Sequence, residues 1–308
     1  MDESFAIKTR GLIKNYGSVR ALRGVDLEVS RGEVFGFLGP NGAGKTTAIR
    51  CMLDLIRPQG GLIRILGFNP QEDPVRVREK VGYVPGELSL ESNLKVKSQL
   101  RYYNDLRGNK AEWDYVRQLA ERLELDLSRS IKNLSKGNKQ KIGVVQALMS
   151  KPELLLMDEP TSGLDPLMQQ EVYRLLREAS AKGATVFFSS HIINEVEALA
   201  DRVAIIREGV IVEEAEPSKL VSMAMRRFHV RFKESVDLDP LSRLEGVTLL
   251  GRSNGMEAML NVEGEMDFLI KALAAFPVSD IEIERTSLEE IFLAYYAEDK
   301  EEAKKNAS

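Results

Sequence analysis

Apolar residues recur along this chain in two rhythms, and the switches between them mark out the elements. Phe5, Ile7 and Thr9 alternate with Ala6 and Lys8, Tyr16-Gly17-Ser18 reads as a turn, and Val25, Leu27 and Val29 alternate with Asp26 and Glu28. Residues 5–30 therefore predict a strand, a turn and a second strand. Gly32 to Leu38 is short and apolar enough for a buried strand, and Thr47 to Leu53 continues as a helix. Gly60–Gly67 and Val81–Pro85 predict two more strands, the second stopped by its proline and Gly86. From Asn93 to about Leu127 the period turns helical, with Trp113, Val116, Leu119, Ala120 and Leu123 on one face, which makes Trp113 a core residue. This block reads as a helical subdomain, about residues 88–150, inserted into a strand-rich part. It ends in a helix through Ile142, Val145, Leu148 and Met149.

Glu153 to Pro160 predicts a buried strand, and an amphipathic helix follows through Leu167, Val172, Leu175, Leu176 and Ala179, closed by Gly183. Thr185–Ser190 is a further buried strand, and residues 203–212 a hairpin around Glu208-Gly209. The acidic stretch Glu213 to Lys219, with Pro217, marks the end of a first domain, 1–219. Beyond it the character changes. Phe228, Val230 and Phe232 alternate with polar residues, Asn254-Gly255 joins two short apolar runs as a hairpin, and Met266, Leu269, Ile270 and Leu273 form a helix face. Val278–Glu284 predicts a strand, and Ser287-Leu288-Glu289-Glu290 a capping box opening a last helix through Ile291, Phe292 and Tyr295. Residues 220–298 thus predict a small α+β domain, and 299–308 a polar tail.

Composition narrows the classes. At 308 residues the chain suits one large domain or two unequal ones. A formal charge of −4 argues against a general nucleic-acid binder. A single cysteine, Cys51, excludes an internal disulfide and a cysteine-based zinc site, and its place on the first helix suits a small buried filler. No apolar run approaches the roughly 18 residues of a membrane span, and Met1-Asp2-Glu3-Ser4 lacks secretory features. A cytoplasmic protein is expected.

The chemistry gathers at the ends of the predicted buried strands. Gly39-Pro40-Asn41-Gly42-Ala43-Gly44-Lys45-Thr46 fits G-x-x-x-x-G-K-[ST] at every fixed position, between a strand and a helix start. Such a loop aims backbone N–H groups and a helix N-terminus at a polyphosphate. Lys45 is expected to reach the outer phosphates and the Thr46 hydroxyl to hold Mg²⁺, with Thr47 beside it. Ser135 and Gly137 begin another helix, an N-terminus able to receive an anion. Asp158 and Glu159 close an apolar strand, where acids are costly unless they hold a cation or hydrogen bonds. Asp158 then completes the Mg²⁺ shell and Glu159 polarises a water for attack on the γ-phosphate. His191, ending the next strand, is placed to sense or stabilise that phosphate. Tyr16 is placed to stack on a base, although the same position suits an ordinary surface tyrosine. His229 reads as solvent-facing and inert.

Together these elements resemble the ATP-binding cassette (ABC) family, the ATPase subunits of membrane transporters, over roughly residues 5–215. Leu134-Ser135-Lys136-Gly137-Asn138-Lys139-Gln140 is similar to the family's signature, and Ser162 to Asp165 to its D-loop. His191 resembles its switch histidine and Tyr16 its adenine-stacking aromatic. The last domain, with Leu288-Glu289-Glu290-Ile291-Phe292-Leu293, is similar to one carried by drug- and antibiotic-exporter ATPases. The resemblance implies an α/β P-loop NTPase core with an inserted helical subdomain and a small C-terminal α+β domain. It implies ATP and Mg²⁺, and a second subunit, a homodimer being favoured. In that pair Ser135, Lys136, Gly137 and Asn138 of one copy face the nucleotide of the other, and Asp165 belongs to the D-loop. It also implies a separate integral-membrane permease docked near Gly86, Glu87 and the helical block, a place on the cytoplasmic face of the membrane, and no nucleic acid. Lys136 and Asn138 depart from the usual signature, and Gly86 stands where the family places a glutamine, with Glu87 as the neighbouring substitute. Three rivals remain at this stage. One is a soluble cassette ATPase acting on ribosomes or DNA, for which a single phosphate loop and only 90 positions between Lys45 and Ser135 leave little room. Another is a P-loop kinase or GTPase, which leaves the signature unexplained. The third is a non-catalytic binding module.

Overall fold

The computed structural model describes residues 4–217, 226–244, 246–262 and 266–285. Its contacts divide the chain into two units, Met1–Pro217 and Ser218–Ser308.

In the first unit, β1 (Phe5–Tyr16) and β2 (Val19–Ser30) form a hairpin closed at Tyr16↔Val19. With β4 (Gly60–Ile65) they make an antiparallel sheet in the order β2-β1-β4. The ladder shifts register between Phe5 and Ile7, and Ala6 is buried together with Ile7. That irregularity breaks the period of two on which the simple alternation rested. A second sheet holds β3 (Val34–Leu38), β5 (Val81–Val84), β6 (Leu154–Asp158), β7 (Thr185–Ser190), β8 (Arg202–Arg207) and β9 (Val210–Ala215). Its order is β5-β6-β7-β3-β8-β9, parallel except for the β8–β9 hairpin. β3, β6 and β7 are buried at every residue, as strands covered on both faces must be. Phe35 and Phe187 stack at 5.9 Å between them. Helix α1 (Lys45–Met52) lays Ala48, Ile49, Cys51 and Met52 into this core. Burial pushes the Cys51 thiol up to about 11, which keeps it inert.

The helical stretch is several pieces. α2 (Pro74–Lys80), absent from the sequence reading, precedes β5, and α3 (Val96–Leu106) and α4 (Trp113–Arg122) are separated by a turn with Gly108 and Asn109 at positive φ. Val116, Leu119, Ala120 and Leu123 are buried as the period predicts. Trp113 is only half-buried, at the first position of α4, where the Arg101 guanidinium lies 5.2 Å from its ring. α5 (Lys136–Leu148) is capped by Ser135. In α6 (Pro166–Ala181) the buried stripe runs through Met168, Val172, Leu175 and Leu176, and Leu167, one position out of phase, is 78% exposed. α7 (Ile193–Leu199) follows β7 closely and was also unread.

The second unit has an antiparallel sheet, β11-β12-β10-β13, from β10 (Arg226–Phe232), β11 (Val247–Ser253), β12 (Glu257–Val262) and β13 (Val278–Arg285). Short helices α8 (Asp239–Ser242) and α9 (Asp267–Leu273) accompany it. Phe228, Val230 and Phe232 pack on Ala258, Leu260, Val262, Leu269 and Leu273. Asn254 and Gly255 turn the β11–β12 hairpin, both at positive φ, as that turn type requires. His229 lies on the face of β10 opposite the core residues Phe228, Val230 and Phe232, half-buried beside its strand neighbours Met259 and Glu282. Ile270 is exposed, since α9 buries only Leu269 and Leu273. The capping box at Ser287–Glu290, the helix through Ile291, Phe292 and Tyr295, and the tail 299–308 lie outside the described residues. Among the described residues no helix is long and apolar enough to cross a membrane.

Candidate active site

Three parallel neighbours in the large sheet, β6, β7 and β3, all end on the same edge. The loops that leave their carboxyl ends are therefore brought together, the arrangement in which open α/β sheets hold ligands. The loop after β3 runs from Gly39 to Gly44, with Pro40 and Asn41 at its start and Gly42 and Ala43 leading into α1. Two positions accept only glycine. A side chain at Gly39 would meet the Ile206 carbonyl oxygen at 2.3 Å, and Gly44 has φ 111° with the Ala21 carbonyl 2.5 Å from a would-be Cβ. α1 thus opens directly at Lys45, and Thr46 and Thr47 sit in its first turn.

Lys45 is almost wholly buried, and its Nζ donates to the carbonyls of Gly39 at 2.6 Å and Pro40 at 3.0 Å. Burial pulls its pKa down, and the carboxylates of Glu159 and Asp158 push partly back. Thr46 Oγ1 donates to Asp158 Oδ2 at 2.7 Å, and Ser189 Oγ donates to Asp158 Oδ1 at 2.6 Å. The buried Asp158 carboxylate therefore has a partner on each oxygen, which is what permits a charge at a strand end.

The residue after Asp158 should face the other side of the sheet by strand alternation. Instead Glu159 takes φ 50°, a left-handed conformation that re-aims its side chain. Its N–H is held by the carbonyl and hydroxyl of Ser189, at 3.3 and 3.1 Å, and its carbonyl accepts from Gln140 Nε2 at 3.0 Å. The carboxylate then lies 3.1 Å from His191 Nδ1 and 3.9 Å from Lys45 Nζ. An ionised carboxylate only accepts, so the proton of this bond sits on Nδ1, and Nε2 is an acceptor in the neutral ring and a donor in the imidazolium.

A second group forms around the start of α5. Ser135 Oγ accepts from the backbone N–H and Nδ2 of Asn138, at 3.3 and 3.1 Å. Lys136 Nζ donates to Ser162 Oγ at 3.0 Å, and a Cβ on Gly137 would lie 2.4 Å from the Gly163 carbonyl oxygen. Asp165 caps α6, its Oδ1 accepting from the Met168 N–H at 3.0 Å. Among the described residues, the side-chain hydrogen bonds of Ser135, Lys136 and Asn138 run within this group and not to the phosphate loop. Gly86 belongs to the first group, since a Cβ there would lie 2.9 Å from Asp158 Oδ2. Glu87 is exposed beside it. Tyr16 stands half-exposed at the β1–β2 turn with the Lys14 ammonium 5.3 Å from its ring.

Sequence reasoning passed over Ser189, which touches both Asp158 and Glu159, and Gln140, which ties α5 to the Glu159 backbone. Ser189 carried a signal only once β6 and β7 were known to be adjacent, for it is the register partner of Asp158.

A phosphate loop on a parallel sheet, with two carboxylates at the end of the next strand but one, defines a P-loop nucleotide-binding ATPase fold. A family pattern described as ABC transporter matches residues 22–162. The bacitracin transport ATP-binding protein BcrA of Bacillus licheniformis is 38% identical over 214 residues, 68% of this chain and 70% of that protein. The daunorubicin/doxorubicin resistance ATP-binding protein DrrA of Streptomyces peucetius is 31% identical over 306 residues, 94% of this chain and 92% of that one. Among solved structures, an ATP-binding subunit of an ABC transporter superposes with a TM-score of 0.63 at 30% identity, covering 70% of this chain and 91% of its own. The chain belongs to the ABC transporter family, as an ATP-binding subunit with ATPase function.

Proposed function

We propose that two copies of this chain close face to face around MgATP and that hydrolysis reopens them, driving a separate membrane permease in export. The observation that carries the reading is the Glu159 carboxylate held between His191 and Lys45 beside the phosphate loop. The N–H groups of Gly42 to Thr46 and the Lys45 ammonium bind the β- and γ-phosphates. Thr46 Oγ1 and Asp158 Oδ2, hard oxygen donors 2.7 Å apart, fit Mg²⁺ and would hold it. When bound, that ion neutralises charge on the phosphate oxygens. Glu159 takes a proton from a water, the oxygen attacks the γ-phosphorus, the bond to the bridging oxygen breaks, and ADP keeps that oxygen. His191, braced by Nδ1 on Glu159, presents Nε2 to the water as an acceptor in the neutral ring, or to the γ-phosphate as a donor in the imidazolium.

Ser135, Lys136, Gly137 and Asn138, together with Asp165, face the nucleotide of the partner copy in this reading. A dimeric cassette bound to ADP and phosphate, 23% identical, has the same fold with a TM-score of 0.63. The relatives named for bacitracin and daunorubicin favour export, on the cytoplasmic face of a membrane, with 220–298 as an accessory domain. Gly86 and Glu87 lie where the permease would dock.

In the test, Glu159→Gln slows hydrolysis by about 10²–10⁴ while keeping ATP affinity, the scale of a lost general base. Lys45→Ala removes binding by calorimetry. In MgATP the Glu159→Gln chain doubles its mass by light scattering. Wild-type turnover in that variant, or a monomer at saturating MgATP, overturns the reading.

A further inference from the structure

Glu195 is a buried acid that the proposed chemistry does not use. It lies on α7, only 7% exposed. An ionised carboxylate in that position needs donors, and three hydroxyls supply them. Thr161 Oγ1 donates to Oε1, Ser190 Oγ donates to Oε2 at 2.5 Å, and the Tyr173 hydroxyl, from α6, bonds the same carboxylate. Burial and then the nearby Glu195 charge push Tyr173 well up, so it stays a donor.

Two of those hydroxyls sit beside the site. Thr161 is two residues past Glu159, on the loop that turns back through the Ser162 N–H to the Glu159 carbonyl at 3.1 Å. Ser190 directly precedes His191, and its Oγ also accepts from the Ile192 N–H at 2.9 Å, on the far side of that histidine. The carboxylate therefore reaches the backbone on both sides of His191 through one serine, and the loop after Glu159 through one threonine. Hydrogen bonds of Glu195 run to Thr161 and Ser190, and its effect on Glu159 and His191 passes through them.

We propose that Glu195 is a positioning residue that locks the loop after Glu159 and the loop carrying His191 into one frame, so that the Glu159–His191 pair keeps its alignment during hydrolysis. The proposal rests on the hydrolytic roles given above to Glu159 and His191. Glu195→Gln keeps the volume but replaces one acceptor oxygen by a donor nitrogen. Thr161 and Ser190 both donate to the carboxylate, so whichever oxygen becomes nitrogen, one hydroxyl loses its acceptor and must turn round to accept instead.

The test measures MgATP turnover, KM and thermal midpoint on the purified full-length chain and four variants. Glu195→Gln is expected to lower kcat about 10- to 100-fold, the scale of a small misplacement of reacting groups, with KM for ATP changed less than about twofold. Thr161→Val and Ser190→Ala, which each cut one of the two tethers, lower kcat in the same direction at unchanged KM. They carry the test if Glu195→Gln fails to fold. Tyr173→Phe, which removes the donor remote from both loops, lowers the midpoint and leaves kcat within about twofold. Unchanged kcat in Glu195→Gln, or kcat losses that simply follow the midpoint across all four variants, overturns the proposal. A wild-type chain that turns over no ATP would instead overturn the roles of Glu159 and His191.

Discussion

At Glu159 a buried strand ends by turning one residue into the left-handed region, φ 50°, directly before Pro160. A non-glycine residue there costs about 1–2 kcal/mol, and the bonds from Ser189 and Gln140 hold it in place. Glycine has no such cost but loses about 0.5–1 kcal/mol of chain entropy on folding. Glu159→Gly should therefore be as stable as Glu159→Gln or more stable, by up to about 1 kcal/mol in denaturant melts, while both lose hydrolysis. A glycine variant clearly less stable than the glutamine one would show that the position is unstrained. Gly86 poses the opposite problem. The resemblance implied a glutamine, yet a Cβ there comes within 2.9 Å of Asp158 Oδ2, and both oxygens of that carboxylate are already engaged by Thr46 and Ser189. Gly86→Gln should lower kcat/KM for MgATP about ten- to a hundredfold through displacement of Asp158, and equal or higher turnover would remove that steric account. The residues grouped at the strand ends, from Lys45 to His191, were readable because each lies in a short motif or closes an apolar run. Ser189, Gln140 and Glu195 were not, since their partners are set by which strands and helices lie side by side.

The elements that could be read were those with enough residues to show a period. β3 is apolar throughout, β6 up to Asp158 and β7 through Val186, Phe187 and Phe188, and the Asn254-Gly255 hairpin has its own turn chemistry. α2 and α7 have seven residues each, under two full turns, and α2 buries only Val77, so no stripe could emerge. Phase was the other weak point, as Leu167 shows by standing one position off a stripe that Met168 begins. Between elements, long-range side-chain pairs do work that no local pattern records. Arg122 on α4 donates to Glu171 at 2.6 Å and to both oxygens of Glu178 at 2.7 Å, bridging the helical block to α6. Those hydrogen bonds hold the Glu178 carboxyl below its usual value of 4.5. The bridge is therefore at full strength above about pH 4.5 and is lost as pH falls through the lower folded value. Glu178 is half-exposed, so the effect stays under about 1 kcal/mol. Wild type should melt slightly above Glu178→Gln at pH 7, with the gap closing as the pH is lowered through the depressed folded value. A gap that does not depend on pH would mean that shape, not charge, links the two helices.

For the molecule as a whole, the informative fact is that, among the described residues, one hydrophobic cluster of each unit draws on a separate stretch of chain. One joins Ile7, Phe35, Ile49, Leu156 and Phe187, all before Pro217, and the other joins Phe228, Val230, Leu260 and Leu269, all after it. Every group assigned to nucleotide lies in the first stretch. If each cluster carries its own cooperative unfolding, calorimetry of the full chain should resolve two transitions, and MgATP should act on one. A ligand that binds only the folded form stabilises it by RT ln(1 + [L]/Kd), about 2.7 kcal/mol at a hundredfold excess over Kd. For a unit of this size that raises the midpoint by about 5–10 °C. The Glu159→Gln chain is the one to use, because it holds the nucleotide without consuming it during the scan. The expected trace has the larger transition moving up with MgATP and the smaller one fixed. A shift of both by the same amount, or a single transition throughout, would mean that the two clusters unfold as one and that nucleotide binding is felt through the entire chain.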